Sequence, residues 1–131
     1  MRWRLAALML LTASSAAIAD DTAGISFRTQ VQPILDAQCV YCHVTGAENG
    51  GLNLGRRVAR ASLLAASSEA PMPRVTPGSA AQSYLIHKLR GTQLSAGGSG
   101  NRMPMNDPPR PLDDGQLTLI QRWIEAGAPD N

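Results

Sequence analysis

Both cysteines of this 131-residue chain fall inside one short run, Cys39-Val40-Tyr41-Cys42-His43. Thiols one helical turn apart project from the same side of a backbone, so both can bond to one flat partner. A histidine directly behind them offers an imidazole to the same body. Cys-x-x-Cys-His at this spacing is the attachment signature of a c-type haem: each thiol adds to a vinyl group, and the histidine becomes the proximal ligand of the iron. Other chemistries use parts of the pattern. A thioredoxin-like pair belongs at a strand-to-helix junction, and no strand-rich run precedes Cys39. A structural zinc site needs a second pair of ligands, and the only other histidine is His87. A plain disulfide stays open, since the chain carries the marks of export.

Those marks lie at the start. Arg2 and Arg4 give a basic head, residues 5–11 an apolar run, and Ala17-Ile18-Ala19 a small-residue cleavage pattern. The pattern predicts a signal peptide over 1–19, cleaved after Ala19, a single domain over 20–131 and a periplasmic location. Thr12, Ser14 and Ser15 interrupt the apolar run, which is short for a bilayer span. A membrane is therefore a partner only if the segment is retained. Export agrees with haem attachment, because thiols that meet haem outside the cytoplasm must be secreted first.

The formal charge of +2 rests on Arg2 and Arg4, so residues 20–131 are balanced. Haem propionates would turn that balance acidic, and no nucleic-acid partner is expected. The only aromatic residues of this span are Phe27, Tyr41, Tyr84 and Trp123. So few bulky side chains predict a core that a buried haem completes.

Along the domain the periodicity is helical, with no strand alternation. Ser26 can cap a helix carrying Phe27, Val31, Ile34 and Leu35 toward Cys39, which Pro33 should kink or restart. A polar loop over 46–51 leads to a partly helical stretch over 52–66. Ser79 is placed to cap a short helix bearing Tyr84, Leu85, Lys88 and Leu89. The Gly/Ser-rich loop 91–100 opens onto Arg102-Met103-Pro104-Met105, and Pro104, Pro108, Pro109 and Pro111 hold this segment in a non-helical path. Asp113 with Gln116 forms a capping box for the last helix, whose stripe is Leu117, Ile120 and Ile124 and whose end falls at Gly127.

The segments QVQPILDAQCVYCH, GGLNL, PGSAAQSYLIHKLRG, RMPM and PLDDGQLTLIQRWIEAGAPDN together resemble small class I cytochromes c. More narrowly, they are similar to the cytochrome c-like domains of bacterial exported proteins, the planctomycete-type cytochrome C group. The resemblance covers nearly all of 26–130. It implies an all-α cytochrome c fold packed around one covalent haem c held through Cys39 and Cys42, with the first and last helices crossing through Phe27 and Trp123. It also implies that His43 is the proximal ligand, its other ring nitrogen donating to a carbonyl, and that Met103 is the distal ligand. The family pattern has prolines after one methionine, so Met105 is the competing sulfur, with His87 and Met72 behind it. Arg102 is the better candidate for a haem propionate, and Arg56, Arg57 and Arg60 read as a solvated helix face.

With both axial positions filled, the expected function is an exported mono-haem electron carrier, not an enzyme, exchanging single electrons with donor and acceptor proteins. An open distal face would instead make a peroxidase-like enzyme or gas sensor. A third reading is an electron-relay subunit of a larger oxidoreductase complex.

Overall fold

Ser26 begins the first helical segment as the sequence predicts: its side chain accepts from the Thr29 N–H at 3.2 Å. The computed structural model describes residues 24–131, so the predicted signal peptide lies outside the described residues. Phe27–Val31 forms one wide π-helical turn, and α1 comes next over Gln32–Gln38 with Pro33 in its first turn. Proline has no N–H to give and its ring crowds the preceding turn. The π turn is how the chain restarts there without losing direction, and α1 then ends on Cys39.

A short 3-10 turn over Asn49–Gly51 and three further α-helices complete the set among the described residues. α2 spans Ala59–Leu64, α3 spans Tyr84–Arg90 and α4 spans Asp114–Glu125. Among the described residues there are only isolated bridges, Ala66 with Pro73 and Thr76 with Ser79, and no strand. The chain is all-α. No helix of the described residues is long and apolar enough to cross a membrane.

α4 obeys its sequence in detail. Asp113 accepts from the Gln116 N–H at 2.8 Å and the Gln116 side chain accepts from the Asp113 N–H at 3.3 Å, so two otherwise orphaned donors are met. At the other end Gly127 takes φ +97°, a left-handed conformation that a side chain would oppose. Ile120, Trp123 and Ile124 are buried. Trp123 meets Phe27 with ring centroids 5.0 Å apart, and its indole N–H donates to the Pro129 carbonyl at 3.0 Å. This contact joins the two ends of the domain. The Arg28 N–H donates to the Asn131 carbonyl at 2.9 Å, and the Phe27 N–H to Asn131 Oδ1 at 2.8 Å.

One expectation changes. Ser79 does not cap α3; the N-cap is Ser83, whose hydroxyl donates to the Ser79 carbonyl at 2.7 Å and accepts from the Thr76 N–H at 2.8 Å. Ser79 sits one turn too early because residues 79–83 close a turn before the helix starts. Phe27, Val31, Leu35, Leu54, Leu63, Ile86, Ile120, Trp123 and Ile124 form one apolar cluster. Ala59, Ala80 and Ala128 belong to the same cluster, where short side chains let neighbouring segments pack closely.

Candidate haem-attachment site

The Cys39–His43 turn grows directly out of α1. Cys39 and Val40 N–H groups both donate to the Leu35 carbonyl at 2.9 Å, and the Cys42 N–H donates to the Cys39 carbonyl at 3.2 Å. The His43 N–H reaches the Cys39 and Val40 carbonyls, each at 3.2 Å. These bonds hold the two thiols on one compact turn. Behind it, the Leu54 N–H donates to the His43 carbonyl at 2.9 Å, and the Leu54 carbonyl accepts from Gln32 Nε2 at 3.0 Å. Leu54, within the GGLNL segment, therefore clamps the histidine to α1.

Both cysteines are free thiols. Cys42 is exposed, while burial and then the neighbouring Cys42 charge push the Cys39 thiol up to about 11. A redox-active thiol of the thioredoxin kind needs a lowered value and a helix N-terminus; Cys39 has neither. Among the described residues no group of three or more His, Cys, Asp or Glu side chains is placed to hold a metal ion, which removes the zinc reading. Iodoacetamide added to the reduced, haem-free chain at about pH 8 is expected to modify Cys42 well before Cys39, because only roughly one Cys39 in a thousand is then thiolate. Peptide mass mapping over time checks this, and equal rates contradict the half-buried placement of Cys39.

His43 is half-buried, and burial holds its imidazole below the ordinary histidine range despite the Asn49 carbonyl, Glu48 and Glu69, which act the other way. Its Nδ1 is shielded from solvent and has no partner at hydrogen-bond geometry. The Asn49 carbonyl lies near enough to the ring to favour a proton on it. Buried polar atoms are rarely left unbonded.

Lys88 and Glu69 also act on the His43 charge. The Met103 N–H donates to the Lys88 carbonyl at 2.9 Å, and the Met103 side chain packs half-buried against the core. Met105 is 63 % exposed, with only Asn101 Nδ2 beside its sulfur at 3.4 Å. His87 is engaged elsewhere: Nε2 donates to the Ala81 carbonyl at 3.0 Å, which leaves Nδ1 to accept from the Thr92 hydroxyl at 2.9 Å.

No family model, curated protein or solved structure matches this chain. The site stands on its own residues.

Two surface grooves of about 610 and 370 Å³ lie away from the turn. Their linings hold no thiol, imidazole or thioether, so the chemistry points to the Cys39–His43 turn. Of the arginines, Arg56 pairs with Asp36 at 2.6 Å and Arg60 Nε donates to the Ala128 carbonyl at 2.8 Å. Arg60 therefore braces α2 against the C-terminal end instead of standing in solvent. Arg102 Nε donates to the Leu89 carbonyl at 3.0 Å.

Sequence reasoning missed Lys88, Tyr84 and Glu69 as a group. Tyr84 and Lys88 are four apart and share a face of α3, a signal that was there to read. Glu69 comes from a loop with no periodicity, and nothing in its neighbours announces it.

Proposed function

We propose that this protein is an exported mono-haem c-type cytochrome that carries single electrons between periplasmic redox proteins. Cys39 and Cys42 would attach the haem, and His43 and Met103 would hold its iron. The observation that carries the reading is the turn itself: two free thiols three positions apart, followed by an imidazole whose buried Nδ1 lacks a partner. Two thiols and an imidazole on one turn fit the covalent attachment of a haem, and the half-buried Met103 thioether is the sulfur best placed among the candidates to serve as a second ligand.

Bound haem would supply one reversible electron per cycle between ferric and ferrous iron. The chain's own residues do the rest. His43, clamped through Leu54, offers a strong nitrogen donor that cannot wander. Met103 offers a soft sulfur that favours the reduced iron and raises the potential. Filling both positions keeps external ligands off the metal, which favours transfer over catalysis.

The test is to express the full chain together with haem-attachment machinery and extract it with acidic acetone. Haem is expected to stay with the protein, with sharp α and β bands on reduction. The double variant Cys39→Ala, Cys42→Ala should release all of it. Colourless wild-type protein after extraction removes the proposal.

A further inference from the structure

Loops rich in glycine and serine are normally the loosest part of a domain. The one that leads to Met103 is the opposite. Lys88, on α3, is buried to 8 % exposure, and each of its three ammonium protons has an acceptor. These are Glu69 Oε2 at 2.9 Å, the Ser99 carbonyl at 2.9 Å and the Asn101 carbonyl at 3.2 Å. Tyr84 Oη, one turn earlier on α3, accepts from the Ser99 N–H at 3.1 Å. Its own proton faces the Ser99 carbonyl at 3.1 Å and Glu69 Oε2 at 3.4 Å. Gln93 Nε2 donates to the Gly100 carbonyl at 3.0 Å. Arg102 Nε and the Met103 N–H then reach the Leu89 and Lys88 carbonyls.

Five consecutive residues, 99 to 103, are thus each fastened to α3 or to Gln93 just beyond it, and the ties to α3 stop at Met103. The loop's composition permits the approach. A Cβ at Gly98 would run into the Tyr84 phenol, and one at Gly100 would lie 3.1 Å from Lys88 Nζ. Burying an ammonium and a carboxylate costs desolvation that a plain apolar pair avoids. What the ion pair provides instead is direction, since its hydrogen bonds converge on two carbonyls of one short segment.

We propose that Glu69, Lys88 and Tyr84 are positioning residues that lock the 99–103 segment so that Met103, and not Met105, binds the haem iron, and that they set how firmly it does so. This rests on the reading of Met103 as the distal ligand. A methionine on a loose loop would give way readily to external ligands; one on a fastened segment returns to the iron each time it leaves.

The experiment uses the oxidised holoprotein and reads two signals: the weak far-red sulfur-to-iron band and the imidazole concentration that displaces half of it. Tyr84→Phe keeps the ring and loses the phenol; Lys88→Met with Glu69→Gln removes the ion pair without orphaning a charge. The phenol change is expected to lower the imidazole midpoint about threefold and the paired change about tenfold, since charged hydrogen bonds count roughly twice neutral ones. Far-ultraviolet circular dichroism and covalent haem content should stay at wild-type level. Unchanged midpoints in variants that keep their helicity overturn the proposal. If the paired variant does not fold, Tyr84→Phe decides alone. Wild-type protein with attached haem but no far-red band also overturns it, leaving haem attachment intact. Wild-type protein without haem removes both.

Discussion

Trp123→Ala is expected to lower the free energy of unfolding by about 3–5 kcal/mol, measured by urea titration of the purified protein. Trp123 is completely buried, it stacks on Phe27 at 5.0 Å, and its N–H is met by Pro129. Truncation therefore removes the largest fully buried side chain, leaves Phe27 facing a cavity and strands the Pro129 carbonyl. A domain of this size has roughly 5–15 kcal/mol in total, so the variant should sit near its unfolding midpoint without much denaturant. Trp123→Phe keeps most of the packing and gives up the hydrogen bond, for a loss of about 1–2 kcal/mol. An alanine variant within about 1 kcal/mol of wild type would mean that the two ends of the domain are not held through this contact.

The second large effect separates the two methionines. Met103→Ala in the holoprotein should abolish the far-red band, shift the ferric spectrum toward high spin and lower the reduction potential, because a thioether ligand is lost from the iron. Met105→Ala should leave the band and the potential where they are. The reason is placement: Met103 lies half-buried against the core with its N–H on α3, whereas Met105 is 63 % exposed. If Met105→Ala removes the band and Met103→Ala does not, the assignment reverses and the fastening of residues 99–103 loses its meaning.

What the amino-acid order made legible was local. The Asp113–Gln116 box, the Ser26 cap and the restart at Pro33 depend on residues within a turn of each other, and each appears where its chemistry puts it. The Cys39–His43 turn belongs to the same class. Ser79 loses the N-cap position to Ser83, four positions on, because residues 79–83 close a turn first, and the Ser83 hydroxyl is spent on Ser79 and Thr76 instead of on the helix end. The reach of Glu69 across to Lys88 and Tyr84, and that of Arg60 to Ala128, depends on how distant segments pack. No periodicity encodes such a meeting. Met103 lies between these cases: the resemblance already preferred it to Met105, and its half-burial, which no periodicity encodes, points the same way.

The tie between the ends of the domain has a bearing on the order of assembly. The bond from Phe27 to Asn131 joins positions 104 apart, and closing so long a loop costs more chain entropy than closing a short one. The cysteine turn, by contrast, closes over a handful of neighbours. Contacts of such different span are expected to mature at different moments. The reactive turn can take shape while residues 27 and 131 are still apart, and the corner where they meet is expected to close later.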